Sequence, residues 1–575
     1  NGKLTVDVLD GASVVACLCQ RKFKTAATVM FMLRISGLLE EYTQARTKAV
    51  LTDSLAIKTD RVWLVTDDGD VLIPIEDLRV GDKIRVQTGK VIPVDGVVTM
   101  AESFMNGNAA YVDESMITGE PTPSEKIQGS NVIAGTIPSQ GKIRMKAMQI
   151  GENTAIAHII KMVEQAQGSK APVQKLVDKI ASVFVPIVIG IALLSLIAWI
   201  IWGGENGFTQ GLLALVTVLV IACPCALGLA TPTAIMVGVG KGAEEGILIK
   251  DAESLELAKK INAIILDKTG TITKGKPTVT DVIWAEGNDS SKQILIAIEK
   301  QSEHPLAEAV VSFYKDENSV NVNHIESITG KGVKAHYNGE YYFVGNKKLL
   351  FENGISISEK LDHEASKWLL EAKTVIWFAD SKNALSVLAI ADEIKETSIE
   401  AIQELQKMNI EVYMLTGDNA NTAKAVAEKV GITNFKGEVL PKDKADFVKE
   451  LQAKGKIVAM VGDGINDSTA LAQANVSIAM GKGSDIAIDV AKMTIISSDL
   501  SKIPLAIKIS AKTVNTIKQN LFWAFIYNII GIPLAAGILY PINGFLLNPM
   551  IAGAAMALSS VSVVANSLRL KYFKN

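Results

Sequence analysis

Three long stretches of the chain carry no charged side chain, and this feature constrains the fold more than any other. The stretches are Val183–Trp202, Gly207–Gly240 and Leu521–Leu568. A helix of about 20 apolar residues crosses the hydrocarbon core of a bilayer, and the turn-forming segment Tyr540–Gly544 divides the last stretch in two. The sequence therefore predicts four membrane-spanning segments. The mean hydropathy of +0.26 is typical of spans combined with soluble domains.

Two weaker apolar segments, Val6–Cys19 and Thr25–Leu39, precede these spans. Charged residues interrupt them, because Asp7 and Asp10 lie in the first and Arg34 lies in the second. We interpret them as two partial membrane-spanning helices, and we expect the chain to be incomplete at its N-terminus.

Two soluble blocks alternate with the predicted spans. Residues 48–175 contain short alternating apolar runs with frequent Gly and Pro, a pattern typical of a small β-rich domain. Residues 241–510 alternate apolar strands with helical stretches, which indicates a parallel α/β fold. The net charge is −3, so no nucleic-acid partner is expected.

Three predicted strands of the α/β block end in polar residues suited to phosphoryl chemistry. In open α/β sheets, ligands bind beyond the carboxyl ends of the strands. A carboxylate there can form an aspartyl phosphate, further carboxylates can hold Mg²⁺, and a lysine can neutralise phosphoryl charge. The residues are Asp267, Lys268 and Thr269, then Thr416, Gly417 and Asp418, then Lys442, and finally Asp463 and Asp467. We expect them to lie on one edge of one sheet.

These strand ends carry three motifs that resemble the signatures of the P-type ATPases, in order and in spacing. The motifs are Asp-Lys-Thr-Gly-Thr from Asp267, Thr-Gly-Asp from Thr416 and Gly-Asp-Gly-Ile-Asn-Asp from Gly462. The resemblance implies that Asp267 is phosphorylated by ATP. It also implies that Mg²⁺ is held by Asp463 and Asp467 together with Asp267 and Thr269, and that Thr416 and Lys442 contact the phosphoryl group.

The resemblance implies a multidomain membrane protein. It combines an α-helical transmembrane bundle, a β-rich actuator domain, and a haloacid dehalogenase-like α/β phosphorylation domain with an inserted α+β nucleotide-binding domain. The expected boundaries are 1–47 for two partial N-terminal spans, 48–175 for the actuator, 176–240 for the next two spans, 241–280 and 386–510 for the phosphorylation domain, 281–385 for the nucleotide-binding domain, and 511–575 for the last two spans.

Two further groups of residues match family motifs that serve the ATP cycle. The actuator loop containing Thr118, Gly119 and Glu120 is expected to reach the aspartyl phosphate, with Glu120 positioning the hydrolytic water. The residues expected to bind ATP are Glu299, His304, Pro305, Gly330 and Gly332. A glycine lets the backbone approach a nucleotide closely.

Cys223, Pro224 and Cys225 lie inside an uncharged stretch. A proline opens the helix, and two thiolates beside such a break are soft ligands for Cu(I) or zinc. The Cys-Pro-Cys motif resembles that of the heavy-metal branch of the family. Tyr527, Asn528, Met556 and Ser560 lie in the last two spans and resemble the copper(I) branch, so copper(I) is the expected ion and silver(I) is expected to be accepted.

At the membrane surface, the resemblance implies that Glu40 and Asp178 receive the ion, with a copper chaperone as one source of it. It also implies export across a bacterial plasma membrane, with the catalytic domains in the cytoplasm. Arg569, Lys571 and Lys574 follow the last span and favour that side.

Three other interpretations of the protein class are open at this point, as is the separate interpretation that the chain is a transport-deficient fragment that retains ATPase chemistry. The first is a zinc, cadmium or lead pump with the same chemistry. The second is a soluble dehalogenase-type phosphatase, which the long uncharged stretches disfavour. The third is a non-catalytic metal-binding module, which the complete catalytic motifs disfavour.

Overall fold

The computed structural model describes most of the chain. The described residues are 30–31, 34, 37–38, 41–42, 59–67, 69–102, 108–115, 123–169, 171–223, 225–285, 291–302, 305–315, 317, 320–328, 331–371, 373–418, 420–462, 467–481 and 491–573. These residues belong to two compact units: residues 1–260, 492–497 and 505–575 form one, and residues 261–491 and 498–504 form the other.

Nine strands form the predicted β-rich domain of the first unit. They are β1 (Arg61–Thr66), β2 (Gly69–Pro74), β3 (Lys83–Val86), β4 (Asp95–Glu102), β5 (Ala110–Asp113), β6 (Ser124–Lys126), β7 (Asn131–Val132), β8 (Ile137–Gln140) and β9 (Lys142–Gln149). Their sheets have the orders β2-β1-β3-β9-β4-β7 and β6-β5-β8. Burial alternates along β9, where Ile143, Met145 and Ala147 point into the core, because successive side chains of a strand face opposite ways.

Helices follow this domain in the first unit. They are α1 (Ala155–Gly168), α2 (Pro172–Trp202), α3 (Gly207–Ile221), α4 (Cys225–Glu244) and α5 (Ala252–Ala258). Asp95 ties the start of α1 to the β-rich domain, because its carboxylate accepts hydrogen bonds from the backbone of Ala134 at 2.7 Å and of Ala155 at 2.6 Å. The stretch from 207 to 240 forms two helices, α3 and α4, as expected for a helix opened near Pro224.

A parallel sheet forms the core of the second unit. Its strands are β11 (Ala263–Asp267), β18 (Glu411–Leu415), β19 (Asn434–Lys436), β20 (Val458–Gly462) and β21 (Val476–Met480), in the order β21-β20-β11-β18-β19. Helices α10 (Ser398–Lys407), α11 (Ala420–Val430), α12 (Pro441–Ala453) and α13 (Ser468–Gln473) alternate with them. The predicted parallel α/β fold is confirmed.

An antiparallel sheet is inserted between β11 and α10. Its strands are β12 (Thr273–Trp284), β13 (Asn323–Ile328), β14 (Gly332–Tyr337), β15 (Glu340–Gly345), β16 (Thr374–Ala379) and β17 (Ala384–Ile394), in the order β12-β17-β16-β15-β14-β13. Its helices are α6 (Lys292–Glu299), α7 (Pro305–Phe313), α8 (Lys347–Glu352) and α9 (Glu359–Leu370). The boundaries expected at 281 and 385 fall inside β12 and β17, because these two strands pair along their length, with two register shifts, and extend the sheet beyond both positions.

The first unit is completed by β10 (Ile247–Ile249), which pairs antiparallel with β22 (Met493–Ile495), and by three C-terminal helices. These helices are α14 (Lys502–Ala536), α15 (Tyr540–Asn543) and α16 (Pro549–Leu568). Within the described residues, four segments are long and apolar enough to cross a membrane: Val177–Trp202, Gly204–Glu244, Lys502–Ala536 and Pro549–Tyr572. These are the four spans predicted from the uncharged stretches, and α14 begins before the boundary expected at residue 511.

Candidate active site

Asp267 lies at the end of the central strand of the parallel sheet. It is the last residue of β11 and pairs in register with Leu415 of β18, while Leu266 pairs with Val461 of β20. The carboxyl ends of three neighbouring strands therefore meet at one edge. This is the arrangement expected from the motifs, and it places Thr416 and Gly462 on the same edge of the sheet as Asp267.

A lysine links the two carboxylates of this edge. Nζ of Lys444 donates to Oδ1 of Asp267 at 2.5 Å and to Oδ1 of Asp467 at 2.6 Å. All three side chains are buried. Two carboxylate oxygens thus converge on one cation, and one or two carboxylates together with phosphate oxygens and waters are the usual ligands of Mg²⁺.

The expected lysine was the wrong one. Lys442 is exposed, whereas Lys444 makes both contacts. The reason is the orientation of α12, whose buried face includes Val448 and Leu451. Lys444 lies one and two turns before these residues, and side chains at that spacing share one helix face.

Lys444 remains protonated in this setting. Burial on its own lowers the pKa of Lys444, but the charges of Asp267 and Asp467 and their hydrogen bonds outweigh burial. The pKa of Lys444 is therefore raised above its usual value. A fixed positive charge at the nucleophile is what an incoming phosphoryl group needs.

The turn after Asp267 is held by side chains from the end of β17 and the start of α10. Nζ of Lys395 donates to the carbonyl oxygen of Gly270 at 2.6 Å, and the Ser398 hydroxyl donates to that of Ile272 at 2.7 Å. Asp392 accepts a hydrogen bond from the Thr273 hydroxyl at 2.5 Å. Gly270 has φ of +74°, a conformation that favours glycine.

The other motif residues surround this turn. Lys268 forms an ion pair with Asp418, and the Thr416 hydroxyl accepts a hydrogen bond from the backbone of Asp418 at 3.1 Å. Thr416 is buried, whereas Thr269 and Gly417 are exposed at the open side of the edge. Asp463 lies outside the described residues.

Gly462 leaves room for Asp467. A Cβ atom at position 462 would lie 2.3 Å from Oδ2 of Asp467, closer than any real contact. Asp467 is 1% exposed. The glycine that begins the third motif is therefore required by the position of the carboxylate that follows it.

A separate cavity of 320 Å³ lies in the inserted domain. Two of the predicted nucleotide-binding residues, Glu299 and Gly332, line it together with Lys331 and Gly345. Burial raises the pKa of Glu299 to about 7. His304 and Gly330 lie outside the described residues, and Pro305 is the first residue of α7.

Close backbone packing shapes one wall of this cavity. Gly332 has φ of +144°, and a Cβ there would lie 2.1 Å from the carbonyl oxygen of Val344. A Cβ on Gly345 would lie 2.2 Å from the carbonyl oxygen of Lys331. Only glycine fits at either position, so this wall presents backbone to a ligand.

Cys223 and Met556 belong to one buried cluster between the membrane helices. Cys223 is disulfide-bonded in the structure, so its use as a metal ligand requires reduction. The side chain of Cys225 lies outside the described part of the chain. Cys223 and Met556, the two predicted sulfur ligands whose side chains the structure describes, therefore lie in the same buried cluster.

Buried oxygens accompany the sulfurs in these helices. Oδ1 of Asn528 and the hydroxyls of Ser559 and Ser560 have no hydrogen-bond partner among the described residues. Asn528 is 3% exposed and Tyr527 is half-buried. Unpaired buried oxygens are costly in a membrane unless a ligand or water satisfies them.

The remaining predicted residues lie near the ends of elements or beyond the described ranges. Asp178 is exposed on α2 and accepts a hydrogen bond from Gln174 at 3.0 Å. Glu40, Thr118, Gly119 and Glu120 lie outside the described residues.

Sequence reasoning missed three residues of these sites: Lys444, Lys395 and Ser559. The buried stripe of α12 could have identified Lys444. Ser559 adjoins the predicted Ser560 and is 0% exposed. Lys395 carried no local signal, because its contact with Gly270 depends on the strand pairing between β12 and β17.

Known proteins resemble single domains of the chain and also the chain over nearly its full length. Residues 56–164 match the P-type ATPase actuator domain, and residues 261–475 match the haloacid dehalogenase-like hydrolases. A crystal structure of a zinc-transporting PIB-type ATPase in the E2.Pi state aligns with a TM-score of 0.64 and 28% identity, covering 99% of this chain and 90% of that one.

Curated relatives extend over nearly all of the chain. A probable copper-transporting ATPase PacS of Synechocystis sp. is 45% identical over 560 residues, which are 96% of this chain and 74% of the relative. A copper-exporting P-type ATPase of Staphylococcus epidermidis is 45% identical over 554 residues, 96% of this chain and 68% of the relative. Identity of this extent shows that the chain belongs to the P-type ATPase family, in agreement with the two domain matches of the chain itself.

Proposed function

We propose that this P-type ATPase uses ATP to export copper(I) across the membrane through an aspartyl phosphate on Asp267. The observation that carries the ion assignment is the buried cluster that contains both Cys223 and Met556. Soft thiolate and thioether ligands favour copper(I) over harder divalent ions.

In the first chemical step, a carboxylate oxygen of Asp267 attacks the γ-phosphorus of ATP. The bond to the β,γ-bridging oxygen breaks, and ADP leaves with the electron pair. Lys444 lies 2.5 Å from the nucleophile and offsets the charge of the incoming phosphoryl group. Thr416 and the ion pair of Lys268 with Asp418 border the same edge and orient it.

Mg²⁺ is the divalent ion that this chemistry uses, and it neutralises charge on the phosphate oxygens. Asp267 and Asp467 would hold it, together with Asp463 and Thr269. The convergence of the two described carboxylates on one cation supports this assignment.

The phosphorylated state is then hydrolysed. Glu120 accepts a proton from a water molecule that attacks phosphorus, the bond to the Asp267 oxygen breaks, and phosphate leaves. Thr118 and Gly119 directly precede that glutamate in the sequence and are assigned to the same step.

ATP binds in the 320 Å³ cavity of the inserted domain. Glu299 faces the adenine, and the bare backbone at Gly332 permits close approach. His304, Pro305 and Gly330 complete the nucleotide site in this assignment.

The choice of copper over zinc rests on two observations. No charged residue lies between Leu521 and Leu568, where a zinc site would be expected to use one. The relatives named as copper-transporting are 45% identical, whereas the zinc-transporting structure is 28% identical. Tyr527, Asn528 and Ser560 supply oxygens near the sulfurs, and silver(I) is accepted at the same site because it is equally soft.

The ion reaches the membrane from the cytoplasmic side past Glu40 and Asp178, with a copper chaperone as its donor. Asp178 is exposed in the second turn of α2, just inside the apolar segment Val177–Trp202. An exposed carboxylate there can hold a cation before it enters the core.

The test measures ATP hydrolysis by the full chain in lipid under reducing conditions, with Cu(I), Ag(I) or Zn²⁺ added. Cu(I) and Ag(I) are expected to stimulate the rate. Met556→Leu and Cys223→Ser are expected to lose this stimulation, because each removes a soft ligand while preserving volume.

The matched control is Met550→Leu, the same exchange at an exposed position of α16. It is expected to retain stimulation. Stimulation by Zn²⁺ alone would favour a zinc pump, and activity that ignores every metal would contradict the assigned ion site.

A further inference from the structure

A second cavity, of 440 Å³, lies between the two C-terminal membrane helices. Its lining residues come from α14 and from α16 with the turn after it: Lys518, Gln519, Phe522, Trp523, Asn566 and Arg569. None of these residues takes part in the phosphorylation, nucleotide or ion sites described above.

The cavity lies where the predicted spans meet water. Lys518 comes just before the uncharged stretch that begins at Leu521, and Arg569 directly follows the end of that stretch at Leu568. Helix α14 begins at Lys502, and residues 502–504 belong to the unit that contains Asp267, so we assign this end of both helices to the cytoplasmic side. The cavity is therefore at the depth of the lipid head groups of the cytoplasmic leaflet.

The charge around the cavity is positive and uncompensated. Within the described residues, neither Lys518 nor Arg569 forms an ion pair. Lys259 is a further cation nearby: burial lowers the pKa of Lys259, and the positive charges of Lys518 and Lys260 lower it further. A cluster of like charges at this depth favours an anion that neutralises it.

Hydrogen bonds connect the two helices that line the cavity. Nδ2 of Asn566 donates to Oδ1 of Asn520 at 2.9 Å and to Oε1 of Gln519 at 3.3 Å, which joins the two helices beneath the cations. Phe522 and Trp523 are exposed, 60% and 48%, and stand edge to face with ring centroids 5.6 Å apart. Aromatic rings at head-group depth contact the glycerol and upper acyl region of a lipid.

We propose that this cavity binds the head group of an anionic phospholipid from the cytoplasmic leaflet, with Lys518 and Arg569 contacting its phosphate and Phe522 and Trp523 its apolar part. Charge complementarity requires an anion, and the aromatic wall requires an anion with an apolar portion. A free phosphate would leave that wall without a partner.

The test is native mass spectrometry of the delipidated full chain in a neutral detergent, titrated with phosphatidylglycerol or phosphatidylcholine. The wild type is expected to bind phosphatidylglycerol more tightly than phosphatidylcholine. The double variant Lys518→Gln with Arg569→Gln is expected to bind phosphatidylglycerol roughly 30-fold more weakly, since each cation near an anionic surface contributes about 1 kcal/mol.

The control is Lys512→Gln, which removes one positive charge from an exposed position of α14 outside the cavity and is compared with the single variant Lys518→Gln. It is expected to leave lipid binding unchanged. The charge-preserving pair Lys518→Arg with Arg569→Lys is expected to retain binding, and phosphorylation of Asp267 by ATP verifies that each variant is folded.

Three results would overturn the proposal. Equal weakening by Lys512→Gln would mean that general positive charge attracts lipid. Equal affinity for the two lipids in the wild type would mean that no anion site exists. Displacement of phosphatidylglycerol by excess inorganic phosphate would mean that the cavity takes a free anion.

Discussion

Lys444 lies between two buried carboxylates whose charges repel each other. Its Nζ atom is 2.5 Å from Asp267 and 2.6 Å from Asp467. Because the pKa of Lys444 is raised, the lysine stays charged and reduces this repulsion. In the proposed reaction the same charge acts on the phosphoryl group, so one residue would both stabilise the resting site and promote phosphorylation.

Lys444→Met is expected to lower the rate of Asp267 phosphorylation about 100-fold or more, a typical loss when a preorganised charge is removed from a reacting centre. The measurement is incorporation of labelled phosphate from ATP at short times. Lys442→Met, an exposed lysine of the same helix, is the control and is expected to behave as wild type. Equal losses in the two variants would contradict the assignment of Lys444.

Glu299 makes the stability of the inserted domain depend on pH. Its pKa of about 7 lies above the ordinary value of 4.5, because burial disfavours the charged form. The folded state therefore binds this proton more tightly than the unfolded state does. The stability gained from it is complete below pH 4.5 and is lost as pH rises to about 7.

Glu299→Gln is expected to remove this dependence. Between pH 5 and pH 8, the thermal midpoint of the wild type should fall relative to that of the variant, approaching a constant difference above pH of about 7. Differential scanning calorimetry of the purified chain measures this thermal midpoint at each pH. Glu326→Gln, an exposed glutamate in β13, should instead follow the wild type at every pH.

At the scale of elements, the conformation of the turn after Asp267 depends on the two strands, β12 and β17, that connect the inserted domain to the parallel sheet. Strand β12 continues directly from the turn, and β17 ends beside it with Asp392 and Lys395. Lys395 donates to the backbone carbonyl oxygen of Gly270, and Asp392 accepts a hydrogen bond from the Thr273 hydroxyl. A change in the pairing of the two strands would therefore reach the residues next to Asp267.

Lys395→Met is expected to slow phosphorylation of Asp267 roughly tenfold, since a hydrogen bond from a charged donor is lost. Affinity for ATP should stay unchanged, because the 320 Å³ cavity does not include Lys395. Measuring the phosphorylation rate over a range of ATP concentrations separates the maximal rate from the affinity for ATP. Lys395→Arg should restore part of the maximal rate.

The control for the two Lys395 variants is Lys274→Met. Lys274 lies on β12 and forms an exposed ion pair with Glu393 of β17 at 2.6 Å. Exposed pairs contribute little, so the variant should phosphorylate normally. Weaker ATP binding in Lys395→Met, with an unchanged maximal rate, would refute the positioning role.

Patterns local to the chain predicted the elements well and their contacts less well. Uncharged length predicted the four described spans, and apolar strands followed by Asp267 and Thr416 predicted the edge of the sheet. Which lysine of the segment Leu440–Lys444 contacts Asp267 could not be predicted in this way, because it depends on which face of α12 is buried. The extent of the inserted sheet depended on pairing between residues more than 100 positions apart, such as Thr278 and Ala391, which no local pattern reports.

At the scale of the whole molecule, the residue proposed to be phosphorylated and the proposed sulfur ligands belong to different units. Asp267 is in the second unit, whereas Cys223 and Met556 are in the first. Transport therefore requires a coupling free energy: phosphorylation must change the affinity or the accessibility of the ion site, and ion binding must change the reactivity of Asp267. ATP hydrolysis alone does not establish that coupling.

The most direct test is ATP-driven accumulation of Cu(I) in sealed vesicles that carry the full chain with its catalytic units outside, under reducing conditions. We predict accumulation by the wild type and none by Asp267→Asn, which removes the nucleophile, or by Cys223→Ser, which removes a soft ligand. Accumulation of Zn²⁺ instead, or ATP hydrolysis that depends on Asp267 while no metal enters the vesicles, would contradict a copper(I) pump.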